Sequence, residues 1–569
     1  MQLSSTTNRM NNMKAESMGK VDLTGCLLAD MASLCFSESY ADVEFLVQEQ
    51  KLPAHRVVLA VRSEYFRALL YGGMSESTQR LIQLDVRLDL FKLLLEYIYT
   101  GNLLLTTMKD DVVIDMLGTA DHYGFHDLQL AISKYLTQSL TLKNVCVVLD
   151  AARFNNLEDL TEACLSFMDG NASDLLQEES FNLLSQESLE MVLQRDTFYA
   201  TEGEIFQGVL KWSRLNNAVD TGSLWDSVRL PLIGINDLLE VVRPLQILDL
   251  NKLLDAISQT RSKILPYRSH LILGKNVATA EYSARCTKGV GCSNLLNGDV
   301  INYTEGKGYT YHAISEGKDN AIVVELGAMY NINHIRLLLW DKDPRAYSYF
   351  IEVSADKLNW ERVIDYSQYH CRSWQYLYFA ARPVRFIQIV GTHNTSNESY
   401  HLVSLEAMYA IDVPKLIGHF VSPVDNVATI PMHACVMIDC EITCNTLIDG
   451  NFLDYDEESG YTSHQLNEKG IVVRLRQPYH VGSIRLRLWD RSDVTYNFYV
   501  QTSTNCKDWE MVVDKRNEEV RSWQNFHFTP RAVVYIRIVG TDSSDGEAFA
   551  CVHFECPSQA PIIKEDEAD

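Results

Sequence analysis

The sequence lacks long apolar runs. Nowhere in its 569 residues does such a run approach the roughly 18 residues that a membrane-spanning helix needs. Residues 1–20 are polar and unpatterned, without the apolar core of a secretory signal. We therefore expect a cytoplasmic protein with no membrane insertion, in which residues 1–20 form a disordered tail.

Positive charge is also scarce. The chain has 50 Lys and Arg residues against 75 Asp and Glu residues, which gives a formal net charge of -25. Nucleic-acid binding relies on clustered basic side chains that displace counterions from phosphates. The composition therefore argues against a nucleic-acid partner.

Motifs that carry catalytic or cofactor chemistry are missing. The sequence has no Walker loop, no Gly-x-Gly-x-x-Gly after a strand, no His-Glu-x-x-His and no Gly-x-Ser-x-Gly elbow. We interpret the protein as non-enzymatic and expect no cofactor. Its length is typical of about three to five domains, so the chain forms several separate cores.

The most informative stretch runs from Tyr40 to Ser77. Apolar and polar residues alternate over 43–47, as in a strand with one buried face, and residues 51–54 offer a returning strand. From His55 the apolar spacing becomes helical. It predicts two short helices, the second capped by Ser63 and ended by two glycines.

This stretch reads Asp-Val-x-Phe-x-Val, then Pro-Ala-His-Arg-x-x-Leu-Ala-x-x-Ser-x-Tyr-Phe-x-Ala-Leu, and closely resembles the BTB/POZ domain. The resemblance implies an α/β domain over residues 21–140 that homodimerises and, in many members, binds the scaffold protein cullin-3. In such members the loop after the second helix supplies an apolar residue, any residue and an acid. Met74, Ser75 and Glu76 stand at that place. A plain solvated turn is the alternative interpretation.

Three polar residues lie within apolar surroundings in the same stretch: Asp42, His55 and Arg56. In BTB domains such residues mostly support the fold and the dimer. The resemblance implies that role for these three residues.

Residues 141–265 carry helical patterns joined by short loops, which predicts stacked helix hairpins in an all-α stalk. Asn144-Val-x-x-x-x-Asp-Ala-Ala-x-x-x-x-Leu-x-x-Leu and Glu204-Ile-Phe-x-x-Val-Leu-Lys-Trp resemble the BACK domain. This domain accompanies BTB in adaptors of cullin ligases. The resemblance implies that its first helices extend the contact with cullin.

The rest of the chain is an internal repeat. Leu-Trp-Asp at 339–341, Arg-Ser-Trp-Gln at 372–375 and Ile-Val-Gly-Thr at 389–392 recur at the constant offset of 149 residues. Each copy has many short strand patterns between turn signals, which predicts two β-sandwiches. Both copies resemble the discoidin-like, or F5/8 type C, jelly-roll domain, whose members bind ligands with loops at one end.

The predicted fold class is multidomain: an α/β BTB domain, an all-α BACK stalk and two all-β discoidin-like jelly-roll sandwiches. The expected boundaries are 21–140, 141–265, 272–410 and 421–557, followed by an acidic tail over 558–569. Secreted discoidin domains are usually closed by a disulfide joining their ends. Here Ala407 stands where the second copy has Cys556, which favours cytosolic use of the fold.

Cysteine is present but poorly arranged for metal binding. The 13 cysteines are odd in number and show no Cys-x2-Cys spacing, which fits a reducing compartment and excludes zinc fingers. One cluster in the second copy consists of His433, Cys435, Cys440 and Cys444. The first copy retains only part of this cluster, as Cys286 and Cys292. Because the spacing matches no standard zinc pattern, we interpret these as buried or idle thiols and expect no metal.

Tryptophan recurs at matching places in both copies. We expect these side chains in the cores of the sandwiches: Trp340, Trp360, Trp374, Trp489, Trp509 and Trp523.

Positions where the copies differ are candidates for ligand binding. The candidate substrate-binding residues, near predicted strand ends of the first copy, are Arg345, Tyr347, His393 and Asn394. Arginine grips carboxylates bidentately and tyrosine offers a flat amphipathic face, which favours an acidic or polar peptide. The second copy has Val494 and Asp542 at the positions of Arg345 and His393, so we expect it to matter less for binding. The alternative is that these differences between the two copies are surface substitutions without a role in binding.

These features favour a protein-interaction adaptor. We interpret the chain as a dimeric substrate-recruiting subunit of a cullin-3 RING ubiquitin ligase, in which the discoidin-like pair binds protein substrates and partners supply catalysis. Two alternatives stay open. One is a cytosolic protein whose sandwiches bind a glycan or lipid while the BTB domain only dimerises, and the other is a scaffold without a ligase role.

Overall fold

The computed structural model describes residues 23–73, 75–216, 222–260, 265–314, 320–438, 441–442, 445–456, 459–466, 468–546 and 548–559. The chain divides into two compact units, Met1–Gln194 with Ala200–Val228, and Arg195–Tyr199 with Arg229–Asp569. The N-terminal tail expected over residues 1–20 lies outside the described residues. No helix within the described ranges is long and apolar enough to cross a membrane.

The N-terminal part of the first unit combines a three-stranded sheet with helices. Its elements are α1 (Thr24–Ser33), β1 (Val43–Val47), β2 (Gln50–Ala54), α2 (Arg56–Arg62), α3 (Glu64–Tyr71), β3 (Leu81–Gln83), α4 (Leu88–Thr100), α5 (Asp110–His122) and α6 (His126–Gln138).

The predicted hairpin is confirmed. β1 pairs antiparallel with β2, with Val43 opposite Ala54, and parallel with β3. Alternate residues of β1 are fully buried, as the period-2 pattern predicts. Ser63 caps α3, because its side chain accepts a hydrogen bond from the Phe66 amide at 3.3 Å. The hairpin and the capped helix therefore place the loop after α3 beside the sheet.

The predicted helical series follows. Its elements in the first unit are α7 (Val145–Phe154), α8 (Glu158–Gly170), α9 (Ala172–Gln177), α10 (Gln186–Gln194), α11 (Glu202–Leu215) and α12 (Gly222–Asp226). α11 begins with a capping box, in which Thr201 and Glu204 each bond the other's backbone amide. Between α9 and α10 the chain forms a 3-10 turn, Glu179–Leu183.

The second unit begins with the short helices α13 (Ile235–Asp237) and α14 (Leu250–Gln259) and continues as strands. The first sandwich contains β4 (Arg285–Lys288), β5 (Thr310–Ala313), β6 (Ile322–Leu339), β7 (Tyr347–Ser354), β8 (Glu361–Cys371), β9 (Trp374–Asn394) and β10 (Ser399–Met408). The second contains β11 (Leu416–Ile417), β12 (Phe420–Val421), β13 (Cys435–Ile438), β14 (Glu441–Ile442), β15 (Thr462–Gln465), β16 (Ile471–Leu488), β17 (Tyr496–Ser503), β18 (Glu510–Val520), β19 (Trp523–Ser543) and β20 (Ala548–Glu555).

The two sandwiches share one topology. The first runs β5-β10-β6-β9-β7-β8, and the second pairs β15-β20-β16-β19-β17-β18 in the same sequence. The repeated Ile-Val-Gly-Thr motif has a packing cause: a Cβ on Gly391 would lie 2.3 Å from Cβ of Tyr400, and one on Gly540 would lie 2.2 Å from Cβ of Phe549. Only glycine fits where the aromatic side chain of β10 or β20 packs against the backbone of β9 or β19.

The tryptophans divide into two groups. Trp340 and Trp489 are buried, at 3% and 9% exposure, as expected. The expectation of core burial is wrong for the other four, Trp360, Trp374, Trp509 and Trp523, which are only half-buried. Three of them stack with arginines, whose guanidinium carbons lie 3.9 to 4.9 Å from the ring centres. Cation–π contact with a solvated cation explains why these rings stay near the surface.

Candidate interaction sites

Residues 72–80 join α3 to β3, and we call this segment the contact loop. Met74 lies outside the described residues. Ser75 is exposed and begins a 3-10 turn, and its hydroxyl donates to Glu76 Oε2 at 2.8 Å. The backbone amide of Glu76 and the Ser75 hydroxyl lower the pKa of the Glu76 carboxyl. The loop therefore presents a carboxylate that is charged at neutral pH.

Arg56, the first residue of α2, holds the contact loop by its main-chain carbonyls. Nη1 donates to the carbonyl oxygens of Leu70 at 3.0 Å and Ser77 at 2.7 Å, and Nη2 donates to that of Gln79. Leu70 lies in the last turn of α3, whereas Ser77 and Gln79 follow Glu76 in the loop. One planar guanidinium therefore links the end of α3 to the part of the loop after Glu76.

The other two polar residues predicted to support the BTB region also have internal partners. His55 is buried, with Nδ1 2.8 Å from the Tyr99 hydroxyl and Nε2 2.8 Å from the Ser39 carbonyl oxygen. Asp42 Oδ1 accepts a hydrogen bond from the Arg56 amide at 2.8 Å. These contacts stabilise the start of α2, whereas a role in dimerisation stays a prediction.

The helix α1 presents an apolar surface, which we call the α1 face. Leu23, Leu27 and Leu28 are 64%, 63% and 50% exposed, and no residue of α1 is buried. On α2, Val57 and Val61 are 61% and 80% exposed. Large apolar side chains exposed close together on one short segment are typical of interaction surfaces, so the α1 face is a candidate for one.

At the first sandwich, Arg345 is already engaged. Its Nη2 lies 2.6 Å from Asp343 Oδ2, its guanidinium carbon lies 4.1 Å from the Trp340 ring centre, and its side chain is only 9% exposed. Burial pushes the pKa of Asp343 upward, but the hydrogen bonds and charge of Arg345 outweigh burial and lower it. A ligand carboxylate would therefore have to compete with Asp343.

The four candidate residues lie at one end of the first sandwich, yet they differ in access. Tyr347 is fully buried, with its hydroxyl 3.2 Å from His401 Nδ1. Asn394 is buried and donates to the Ser399 carbonyl oxygen at 2.7 Å. Both side chains take internal partners, and a role for these two residues in substrate binding stays a prediction. His393 is exposed, and binding through His393 and Arg345 stays a prediction.

The second sandwich packs against this same end of the first. Arg474 Nη1 donates to the Pro344 carbonyl oxygen at 2.7 Å. Gln477 Oε1 accepts from the Tyr376 amide at 2.7 Å, and its Nε2 donates to the Tyr376 carbonyl at 3.0 Å. Arg474 and Gln477 are 1% and 0% exposed. We call this contact the seam, and it covers part of the end where substrate binding is predicted.

The matching end of the second sandwich is more open. Asp493 stands at the position of Pro344 in the 149-residue repeat, and its side chain is fully exposed at 102%. Asn525, at the position of Tyr376, is also exposed. Within the part of the chain that the structure describes, the seam thus covers one loop end and leaves its counterpart accessible.

Each sandwich also carries an exposed aliphatic tip that the sequence motifs did not single out. Ile301 is 77% exposed and Leu453 is 67% exposed. The amide of Ile301 donates to Asp299 Oδ1 at 3.0 Å, and that of Leu453 donates to Asn451 Oδ1 at 3.2 Å. Two loops therefore hold a large apolar side chain outward by the same turn.

Below each exposed tip, the same three kinds of residue meet in both copies: a tyrosine, an aspartate and a basic residue. In the first copy the Tyr303 hydroxyl donates to Asp341 at 2.6 Å, and Lys342 Nζ lies 4.0 Å from the Tyr303 ring centre. The corresponding residues of the second copy are Tyr455, Asp490 and Arg491. The recurring Asp/Asn-x-Ile/Leu-x-Tyr pattern is the sequence signal that would have found both tips.

The cysteine cluster of the second copy is only partly described. Cys435 is buried in β13, and Cys440 and Cys444 lie outside the described residues. Across the ranges that are described, no group of three or more His, Cys, Asp or Glu residues could hold a metal ion. The absence of a metal at the cluster stays a prediction.

Three family models match the chain. The BTB/POZ domain model matches residues 33–140, the BACK (BTB And C-terminal Kelch) model matches residues 145–243, and the F5/8 type C domain model matches residues 278–405. The multidomain fold class is thereby confirmed. The shared strand order assigns the same architecture to the second sandwich.

Curated relatives match nearly the whole chain. BTB/POZ domain-containing protein 9 of Drosophila melanogaster is 60% identical over 95% of this chain and 75% of its own length. The protein of the same name from Homo sapiens is 45% identical over 97% of this chain and 91% of its own length. Among solved structures, the BTB domain of human Gigaxonin matches at 24% identity over 22% of this chain and 100% of that one, with a TM-score of 0.18.

Proposed function

The chain belongs to the family of BTB/POZ domain-containing protein 9, and from this premise we propose that it is a dimeric substrate-recruiting adaptor of a cullin-3 RING ubiquitin ligase. BTB and BACK domains in one chain are typical of an adaptor family that serves such ligases. In this proposal the protein acts in the cytoplasm. Catalysis belongs to the RING and E2 partners.

The contact loop is the observation that carries the proposal. Its charged Glu76 follows Met74 in the order that the family uses against cullin-3, and Arg56 ties the end of α3 to the part of the loop after Glu76. A flexible methionine suits an apolar pocket on the partner, and a carboxylate beside it fixes the position in which the loop docks. A loop held in place before binding loses less conformational entropy when the partner docks.

Self-association is the second part of the proposal. A two-fold dimer buries the same surface on both protomers. The α1 face is suited to this, because its leucines are exposed in the single chain and an obligate interface is rich in apolar side chains. Dimerisation would place two sets of sandwiches in one ligase complex.

Substrate recognition is assigned to the loop ends of the two sandwiches. Ile301 and Leu453 supply apolar anchors, while His393 and Arg345 remain candidates for polar contacts near the seam. An exposed aliphatic residue on a restrained turn inserts into a pocket at small entropic cost. If the protein is instead a ligand-binding or scaffold protein, the same tips would bind its partners, but no ligase would be recruited.

Co-purification tests the ligase role. Full-length tagged protein expressed in cells should retain endogenous cullin-3 after washing at physiological salt. A dimer that is recovered without cullin-3 would overturn the ligase role and leave the scaffold alternative. The companion control is the same protein lacking residues 23–140, which should lose cullin-3.

Proximity labelling tests the substrate surface. Arg345→Glu with His393→Asp, and separately Ile301→Asp with Leu453→Asp, should each remove a subset of labelled partners, whereas Val494→Ala with Asp542→Ala should change few. Because Arg345 supports Trp340 and Asp343, each variant needs an unchanged thermal midpoint before its partner list is compared. Identical lists from all three would place recognition elsewhere on the chain.

A further inference from the structure

Two thiols of the first sandwich lie in contact. The Sγ atoms of Cys286, in β4, and Cys292, at the start of a 3-10 turn, are 2.6 Å apart. Both are free thiols on half-buried residues. Residues 287–291 separate them in the sequence, which groups them only as a partial match to the cysteine cluster of the second copy. The tertiary structure shows that their sulfur atoms are in contact.

The intervening loop holds the two thiols together. Gly289 and Gly291 have φ angles of 132° and 79°, and a Cβ on Gly291 would lie 2.8 Å from the Tyr309 carbonyl oxygen. Between them, Val290 exchanges two backbone hydrogen bonds with Tyr311, each of 2.9 Å. The glycines let the chain fold back on itself, and the bridge to Tyr311 keeps it there. The two sulfur atoms are therefore close before any reaction.

We propose that Cys286 and Cys292 are a redox-active pair that forms a reversible disulfide with hydrogen peroxide as the oxidant. The Cys292 thiolate attacks one peroxide oxygen, and the other oxygen leaves as water after taking up a proton. The resulting sulfenic acid is attacked by the sulfur of Cys286. The S–S bond forms while the sulfenic hydroxyl leaves as water with the Cys286 proton. The pair loses two hydrogens, and peroxide is reduced to two waters.

The contact between the two sulfur atoms assigns their roles. The Cys286 thiol donates toward Cys292 Sγ at 2.6 Å, and burial together with this neighbour raises the pKa of Cys286 to about 12. A protonated thiol that lies against a sulfenic acid on Cys292 fits the resolving role, so we assign the first step to Cys292 and the second to Cys286.

The second sandwich shows that the fold does not need sulfur at this place. Cys286 pairs with Val324 in β6, and Val436 pairs with Val473 at the matching position of the repeat. Valine is thus accommodated where Cys286 stands. The replacement Cys286→Val is therefore a variant that the architecture already tolerates.

The test uses the full-length protein and peptide mapping. Trypsin cleaves after Arg285, Lys288 and Lys307, so Cys286 and Cys292 fall on separate peptides, 286–288 and 289–307. After treatment with hydrogen peroxide and alkylation of free thiols, these two peptides should be recovered as one linked species. Dithiothreitol should return them to two alkylated peptides. Failure to find the linked species in folded protein would overturn the proposal.

Variants separate the two thiols. In Cys286→Val the sulfenic acid on Cys292 should persist and be trapped by dimedone, and no linked species should form. The exposed thiol Cys26 lies far away in sequence, on α1, so Cys26→Ser should leave the linked species unchanged. A linked species that joins Cys292 to another cysteine, or trapping of Cys286 before Cys292, would contradict the assigned pair or its order.

Discussion

Nη1 of Arg56 lies 2.7 Å from the carbonyl oxygen of Ser77. This bond ties the first residue of α2 to the contact loop, while a second bond from the same nitrogen reaches Leu70 in the last turn of α3. One side chain therefore links the end of α3 to the part of the loop that follows Glu76.

Replacing Arg56 by lysine should weaken cullin-3 binding about tenfold, since losing hydrogen bonds made by a charged donor costs about 1.5 kcal/mol. Lysine keeps the charge but lacks the planar fork that reaches both α3 and the contact loop. Binding to a recombinant cullin-3 N-terminal domain can be followed by biolayer interferometry. Arg80→Lys, at an exposed position near the end of the loop, serves as the matched control and should bind normally.

Met74→Ala combined with Glu76→Ala should reduce cullin-3 affinity roughly thirtyfold, because losing a buried anchor costs about 2 kcal/mol. The oligomeric state and thermal midpoint should stay unchanged. Leu183→Ala with Glu179→Ala removes a similar exposed apolar and acidic pair from the helical region and should bind cullin-3 normally. If both double mutants pull down equal amounts of cullin-3, the contact loop is not the cullin-3 binding site.

Leu27→Glu with Leu28→Glu should convert the full-length dimer into monomers. Each glutamate would put a charge into an apolar interface, where an unpaired ion is strongly disfavoured. Light scattering coupled to gel filtration at micromolar protein measures the mass directly. Leu130→Glu, a comparably exposed site on α6, should leave the mass unchanged. A wild-type monomer at this concentration would refute the dimer itself.

Gln477→Ala should lower the free energy of unfolding of the tandem sandwiches by about 1–3 kcal/mol, since it leaves the Tyr376 amide and carbonyl without their seam partner. The two sandwiches should then unfold in less coincident steps. Calorimetry resolves this as broadening or splitting of one transition. The control Gln524→Ala loses a hydrogen bond to Arg521 within one loop and should keep the transition intact.

Acidification should destabilise the first sandwich through its buried histidines. Burial lowers the pKa of His334, His370 and His401 to about 4. Their folded pKa lies below the unfolded value near 6.5, so their neutral forms stabilise the fold above that pH. This stability is lost as pH falls from about 6.5 to about 4, by up to ~3 kcal/mol for each histidine.

Thermal midpoints measured between pH 7 and pH 4 check this expectation. The variant His334→Gln keeps a donor for the Leu377 carbonyl but removes one titrating group, so its midpoint should fall less steeply with pH. His126→Gln, at an exposed site, should follow the wild-type curve. Parallel curves for all three proteins would show that histidine burial does not govern the acid response.

Local sequence was a reliable guide wherever one segment carries its own signal. The strand alternation over residues 43–47 and the Ser63 cap depend on neighbours in the chain, and both were confirmed. Tryptophan was less reliable. Trp374 and Trp523 lie beside Arg336 and Arg485 near the surface, because an aromatic ring is stabilised by a cation as well as by a core.

For the predicted substrate-binding site as well, local sequence did not show which residues each side chain contacts. Arg345 and Tyr347 were chosen for side chains that suit recognition, yet Asp343 forms an ion pair with the first and His401 lies 3.2 Å from the hydroxyl of the second. Asp343 is a neighbour in sequence, but His401 belongs to β10 and meets Tyr347 only in the folded sandwich. The tips at Ile301 and Leu453 had a repeated local pattern and were predictable from it.

The domain series, the equal length of the two sandwiches and the place of the contact loop were predictable from the chain alone, because they follow from periodicity, repetition and turn-forming residues. The contacts between distant elements depend on the fold. Gln477 and Tyr376 lie 101 residues apart and Arg56 and Ser77 lie 21 apart, and Cys286 meets Cys292 only through the fold of the loop between them. Such contacts depend on the packing of whole elements, which brings together side chains whose local sequences are silent about each other.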